Sequence, residues 1–188
     1  MKYEAIVIGC SAGGLFALLE ILSSLPEDYV LPIIIVQHRS KEEPTLLEEV
    51  LSQKCRIRIR QADEKETIKA GVVYFAPPNY HLLIEEDRTF SLSVEPPVNF
   101  SRPSIDILCE TAAAVFKKKL LGIILTGASR DGAEGIRSIL QAKGVTIAQD
   151  PATAHYPFMP QSAIDTGCVQ HILDLKGIKD LLLDIKNS

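Results

Sequence analysis

Short β-branched runs recur along the chain, and between them lie stretches whose apolar residues fall three and four apart. The runs at 5–9 (AIVIG), 32–37 (PIIIVQ), 120–126 (LLGIILT) and 145–149 (VTIAQ) are nearly unbroken apolar segments, the pattern of strands buried on both faces. Helical spacing predicts helices over 15–25, stopped by Pro26, over 44–53 with Glu48 and Glu49 on the wet side, and over 104–119. Two more helices are expected over 133–143, closed by Gly144, and over 178–185. Arg56, Arg58 and Arg60 alternate with Ile57 and Ile59, which marks a strand with one solvated face. The middle differs. Three short runs at 71–76, 81–85 and 89–94 are separated by Pro77-Pro78-Asn79 and Glu86-Asp87-Arg88, and the last two read as a β-hairpin. Strands alternating with crossover helices define an α/β fold: a doubly wound, mostly parallel sheet with helices on both faces and a β-hairpin insertion.

Composition narrows the class. With 188 residues, 46% hydrophobic and 23% charged, the chain is expected to form one globular domain spanning 1–188. Aromatics are 6% with no Trp, so the core falls to Leu, Ile, Val and Ala. The 20 basic and 24 acidic residues leave a net charge of −4, which argues against a general nucleic-acid binder; such a protein needs surplus cations to displace counterions from phosphate. Cys10, Cys55, Cys109 and Cys168 contain no CxxC pair and no disulfide-dense spacing. The N-terminal apolar run breaks at Gly9, unlike a signal peptide, and no run approaches the roughly 18 residues of a membrane span. A soluble cytoplasmic protein without membrane insertion is the expectation.

In an open parallel sheet, ligands bind beyond the carboxyl ends of the strands. The first such end is Gly9-Cys10-Ser11-Ala12-Gly13-Gly14. A dinucleotide fingerprint needs glycine where Ser11 stands and an acid at the second strand end, where this chain has Gln37 and His38. The Gly-Lys-Ser/Thr of a phosphate-binding loop is absent too. Two readings stand level on this loop alone. Ser11 caps the helix, or it is a nucleophile on a tight strand-to-helix turn, with the helix's first N–H groups free to hold an oxyanion. Cys10, the last residue of a buried strand, is read as core packing.

A serine nucleophile needs a base, and the base needs an orienting group. His38 ends the second strand at the same edge, and imidazole is suited to moving a proton near neutrality. A third strand end, Leu125-Thr126-Gly127-Ala128-Ser129-Arg130-Asp131-Gly132, brings Asp131 to the start of a helix. An isolated Asp there would serve its own helix dipole; three candidates at three strand ends favour a serine, a histidine and an aspartate acting together. His81, His155 and His171 lack metal-ligand spacing and no HExxH occurs, so surface or loop roles and no metal are expected. Lys117-Lys118-Lys119 reads as a helix end, where cations suit the dipole. Residues 157–160 read as a loop over the carboxyl edge.

These motifs stand in order: GCSAGG at 9–14, VQH at 36–38, NFSRPSID at 99–106, GIILTGASRDGAEG at 122–135, and TIAQDPAT with FMPQSAI within 146–164. Together they resemble the catalytic domain of the CheB-type protein-glutamate methylesterases of bacterial chemotaxis, and the resemblance covers essentially the whole chain. It implies hydrolysis of methyl esters on glutamate side chains of chemoreceptor cytoplasmic helices, with glutamine deamidation in many members, and no cofactor. It assigns the nucleophile to Ser11, the base to His38 and the aspartate to Asp131. Backbone N–H groups around Ala12 and Gly13 would hold the oxyanion, with the turn at Ala128 beside them. Arg102, in the SRPSID segment, would orient the substrate or the aspartate loop, or make a salt bridge at the helix start.

The departures from the family pattern concern specificity. Ala12 stands where members have Thr, Gln37-His38-Arg39-Ser40 where they have QHMP, and Ala128 where they have Met. Arg39 and Arg130 add two charges, so substrate preference is where this chain is expected to differ. Members also carry an N-terminal receiver domain that covers the site until phosphorylated. This chain starts a few residues before its first strand, either as a stand-alone enzyme or as a piece of a larger one, with no receiver of its own to switch it. Other classes stay open: a non-catalytic module that holds receptor helices, and an esterase for a different ester. Arg56, Arg58 and Arg60 form a wet strand face or a docking stripe for acidic receptor helices.

Overall fold

A strand whose successive residues point to opposite faces can be apolar throughout only if both faces are covered. β1 (Ala5–Cys10) meets that condition. Its Ile6 and Ile8 pack in one core with Leu18, Ile21 and Leu22, while Ala5 and Val7 pack in the other with Leu108, Ala112 and Ile136. The computed structural model describes residues 2–39 and 46–186. After β1 come α1 (Gly14–Leu22), β2 (Ile33–Gln37), α2 (Leu47–Lys54), β3 (Arg58–Gln61), β4 (Val72–Phe75), β5 (His81–Ile84) and β6 (Phe90–Ser93). Then follow α3 (Ile105–Phe116), β7 (Leu120–Ile124), α4 (Ala133–Gln141), β8 (Val145–Gln149), α5 (Phe158–Asp165), β9 (His171–Leu173) and α6 (Leu175–Lys186).

Seven strands form one sheet in the order β3-β4-β2-β1-β7-β8-β9, and every neighbouring pair is parallel. α1, α2 and α6 cover one face, and α3, α4 and α5 the other. β5 and β6 pair antiparallel outside the sheet, as the expected hairpin insertion. The chain winds from β1 outward through β2 on one side and through β7 on the other. This switch point opens a crevice at the carboxyl ends of β1, β2 and β7. Among the described residues no helix is long and apolar enough to cross a membrane.

Several expectations need correction. The helix expected over 104–119 ends at Phe116; Lys117 takes a φ of 51°, and Lys117–Lys119 form a 3-10 turn into β7. Residues 157–160 are not a loop but the start of α5, where Pro157 and Pro160 fall in a first turn that has no intrahelical use for their missing N–H. β9 is three residues long with His171 and Ile172 exposed, so it lacks the apolar run that announces a strand. β3 and β4 run parallel without a helix between them. The first residues of the helix expected over 44–53 lie outside the described residues, as does Ser40. His81 is not on the surface: it is fully buried, with Nε2 3.1 Å from the Pro96 carbonyl and Nδ1 accepting from the Ser104 N–H at 3.2 Å. A ring nitrogen that accepts a backbone N–H is satisfied without water, so burial is tolerated.

Candidate active site

In the register of β1 with β2, Cys10 lies opposite Gln37, so the residues that follow, Ser11 and His38, emerge side by side from neighbouring strands. The His38 N–H donates to the Cys10 carbonyl at 3.0 Å. The Gln37 side-chain amide donates to the carbonyls of Ser11 at 2.8 Å and His38 at 3.0 Å, which ties the two strand ends together. On the other side the Ser11 N–H donates to the Thr126 carbonyl at 3.0 Å, beyond the end of β7. The Thr126 hydroxyl donates to the Ala12 carbonyl at 3.0 Å and accepts from the Tyr156 N–H at 2.9 Å. Gly13 turns the chain into α1 with a φ of 78°, and a Cβ there would meet the His155 Cβ at 3.0 Å and the Thr126 Oγ1 at 3.1 Å. Both the turn and the crowding require glycine.

This geometry separates the two readings of Ser11. The N-cap of α1 is Gly13, without a side-chain cap bond, so Ser11 does not cap the helix. The half-buried Ser11 hydroxyl makes no hydrogen bond among the described residues, and the same holds for the N–H groups of Ala12 and Gly13. Cys10 packs as expected. Its thiol is fully buried, burial pushes its pKa well up, and Sγ donates to Gln37 Oε1 at 2.9 Å. A thiol held protonated is a poor nucleophile.

His38 Nε2 lies 2.8 Å from Asp131 Oδ2. An ionised carboxylate only accepts, so Nε2 carries a proton, and in the neutral ring Nδ1 holds the lone pair. Nδ1 faces the Ser101 hydroxyl at 3.5 Å, a long contact. Asp131 is fully buried, and it does not serve its own helix. Its carboxylate accepts from Ile105 N–H at 2.7 Å, Asp106 N–H at 3.2 Å and Ser104 Oγ at 2.9 Å, all at the start of α3. Burial alone would raise its pKa. The His38 hydrogen bond and the α3 N–H groups outweigh that and hold it below the usual carboxylate range.

Of the remaining expected residues, Ala128 is exposed beside a cavity of about 410 Å³ lined with Tyr156, Pro157, Phe158 and Gln161. The neighbouring Gly127 N–H is already given to the Tyr156 carbonyl at 2.9 Å. Among the described residues Arg102 makes no salt bridge at the helix start; its guanidinium donates to Asn79 Oδ1 and to the carbonyls of Val94 and Glu95. Arg39 is turned into a two-pronged pair with Glu48, whereas Arg130 is exposed. Arg60 pairs with Glu66 at 3.0 Å, leaving Arg58 exposed on β3 and Arg56 exposed just before it. Among the described residues no three His, Cys, Asp or Glu side chains converge as metal ligands. Gln37, Thr126, Asn99 and Asp106 escape the sequence reading. The last two stand in the NFSRPSID motif, but an acid in a first helical turn reads as serving that helix, and Asp106 instead accepts from Gly132 and Gly135 of α4 at 2.9 and 2.7 Å.

Sheet, switch point and strand ends together describe a hydrolase. The family described as CheB methylesterase matches residues 6–182, and the chain belongs to that family. It is 51% identical over its whole length to a Leptospira interrogans protein, 97% of which it covers, provisionally named a protein-glutamate methylesterase/protein-glutamine glutaminase. It is 38% identical to Anaeromyxobacter dehalogenans protein-glutamate methylesterase/protein-glutamine glutaminase 2, with 98% of this chain matched to 54% of that protein. The Symbiobacterium thermophilum counterpart is 34% identical, and 94% of this chain covers 49% of it. The chain thus spans about half the length of these last two relatives. The crystal structure of the Thermotoga maritima CheB methylesterase catalytic domain superposes with a TM-score of 0.93 at 30% identity, covering 98% of this chain and all of that one.

Proposed function

We propose that residues 1–188 act as one catalytic domain that hydrolyses methyl esters on glutamate side chains of chemoreceptor cytoplasmic helices, and that the same chemistry deamidates glutamines there. The observation that carries the reading is the 2.8 Å bond from His38 to the buried Asp131, which leaves Nδ1 as the free base next to the strand end of Ser11. His38 Nδ1 takes the Ser11 proton as Oγ attacks the ester carbonyl, and Asp131 stabilises the imidazolium. The N–H groups of Ala12 and Gly13 hold the oxyanion; losing one such donor typically slows acyl transfer about 10²–10³-fold. Ala12 supplies a backbone group only, so the missing threonine hydroxyl is no loss to this step. The tetrahedral centre collapses, the proton on Nδ1 leaves with methoxide as methanol, and a water activated by His38 then frees the glutamate.

The rim suits an ester carried on a protein surface. Phe16 follows the Ser11 turn, Phe100 adjoins Ser101, and Tyr156 and Phe158 line the cavity beside Ala128; all four are exposed. Exposed aromatics around a polar centre are the usual make-up of a protein-binding patch. Arg102 contributes by anchoring the turn of Phe100 and Ser101 to the hairpin, and Ala128 leaves the adjoining apolar cavity open to the residues that flank the ester. The receptor helices place the reaction in the cytoplasm.

The test is methanol release from receptor cytoplasmic fragments methylated on glutamate, with wild type and Ser11→Ala compared. Wild type releases methanol and the variant is slower by about 10³-fold or more. Its fold is intact, because the Ser11 side chain makes no bond among the described residues. Turnover retained by the variant, or none by wild type, would overturn the assignment.

A further inference from the structure

The acyl-transfer scheme uses one buried carboxylate, yet the structure buries two. Asp131 precedes α4 but accepts from the start of α3, through Ile105 N–H, Asp106 N–H and the Ser104 hydroxyl. Asp106 lies in the first turn of α3 but accepts from the start of α4, through Gly132 N–H at 2.9 Å and Gly135 N–H at 2.7 Å. Each aspartate holds the other's helix. Asn99 Nδ2 bridges them, 2.8 Å from Asp106 Oδ2 and 3.5 Å from Asp131 Oδ1. Asn99 does so from a two-residue turn in which both it and Phe100 have positive φ, at 49° and 63°. The close approach of α3 to α4 is equally specific, since a Cβ on Gly135 would meet the Cys109 Cβ at 2.5 Å and the Asp106 Cα at 3.2 Å.

We propose that Asp106 is a positioning residue for His38: it locks Asp131 in place across the two helix starts and, as an anion, strengthens Asp131 as acceptor of the His38 proton. The inference rests on reading His38 as the base and Asp131 as its orienting acid. A helix cap alone calls for a neutral Ser, Thr or Asn as readily as for Asp. An acid placed beside another buried acid repels it, and that arrangement has a use only if the second charge acts on the first. With Asp106 ionised, two negative charges stand behind the imidazole and favour the imidazolium formed when Ser11 gives up its proton. With Asp106 protonated, its O–H competes for the same Asp131 carboxylate and weakens the pull on His38.

Burial, together with the charge of Asp131, raises Asp106 to about 6, whereas Asp131 is held low. The other groups around the pair are His38 beyond Asp131, His81 against Ser104, Glu110 and Cys109 on α3, and Glu134 on α4, the last paired with Arg137 at 3.1 Å. Burial raises the Glu110 and Cys109 groups, and neither a carboxyl nor a thiol can supply the positive charge that would offset Asp106. Asp106 therefore changes charge near pH 6, where Asp131, held low, stays ionised.

The test compares wild type with Asp106→Asn, which keeps an oxygen for the Gly132 and Gly135 N–H groups. In the variant kcat/KM for the methylated receptor fragment falls about tenfold at pH 7.5, and its acid limb follows one proton where that of wild type is steeper. Independently of turnover, the low-field proton NMR signal of His38 Nε2–H, which also moves as the ring itself takes a proton, shows in wild type a second pH-dependent step that the variant lacks. A variant with the wild-type pH profile and the same two-step signal overturns the inference. If wild type hydrolyses no receptor ester, the proposed function fails, and the NMR signal still decides the part of Asp106. If Asp106→Asn does not fold, a wild-type signal that moves in a single step, or one unaffected by Asn99→Ala, overturns it equally.

Discussion

At the carboxyl end of the sheet α3 and α4 begin, and their first N–H groups close on Asp131 and Asp106. At the amino end the same two helices stop, beside Lys117, Lys118, Lys119 and Lys143. Helix starts favour anions and helix ends favour cations, so one pair of helices sorts the charges of both edges. The larger cavity, about 670 Å³, is at the amino end and is lined by these lysines together with Glu4 and Arg88. Its charges are at least partly exposed, and Glu4 pairs with Arg88 at 2.7 Å and with Lys119. At the carboxyl end the cavity is smaller, but Asp131 is wholly buried, and two of its partners are backbone N–H groups that cannot swing away. Cavity size is therefore a poor guide to chemistry here. Burial of a charge among fixed donors is the better one.

That contrast can be broken by substitution at either edge. The largest effect belongs to Asp131→Asn, which cannot hold the Nε2–H tautomer of His38. Its kcat for methanol release should fall about 10³–10⁴-fold, and a residual rate within tenfold of wild type would remove the buried pair from the mechanism. Gly13→Ala comes next. A side chain at a φ of 78°, 3.0 Å from the His155 Cβ, should lower stability by about 1–2 kcal/mol in thermal unfolding and slow turnover, because the Ser11 loop must shift.

The pH dependence of stability sharpens the comparison further. Asp106 has a folded pKa raised to about 6, so its contribution to stability is full below about pH 4 and is lost as pH rises through 6. Asp131 has the opposite sign: its contribution is present above the ordinary carboxylate range and is lost as pH falls through its lowered value. Denaturant unfolding of wild type against Asp106→Asn should therefore show wild type gaining relative stability from pH 6 down to pH 4. A constant difference over that window would contradict the raised pKa. The smallest effect is expected at the amino edge. Glu4→Gln breaks two partly exposed ion pairs and should change stability by less than about 1 kcal/mol, with turnover unchanged.

The strands that carry the site were the most legible part of the chain. β1, β2 and β7 are central, so both of their faces must be apolar, and such runs stand out whatever surrounds them. β9 at the sheet edge has two exposed residues of three, and α5 begins among prolines, so neither has a local signature. The same division holds within the site. The candidates Ser11 and His38 stood out as polar residues at the ends of apolar runs, and Asp131 at the helix start that follows a third. The role proposed for Asp106 did not, because an acid at a helix start reads the same whether it serves its own helix or another.

The residue pattern alone determined the parallel sheet, the hairpin insertion and the three strand ends that meet at the crevice, since burial of continuous apolar runs admits few other arrangements. Only the tertiary structure decided that Gly13 rather than Ser11 caps α1, that Nε2 rather than Nδ1 of His38 faces the carboxylate, and that Asp131 and Asp106 exchange helices. Those outcomes are hydrogen bonds between residues far apart in the chain, 93 positions in the case of His38 and Asp131. Their partners come within reach only once α3 and α4 have packed against the sheet and water has been excluded from between them.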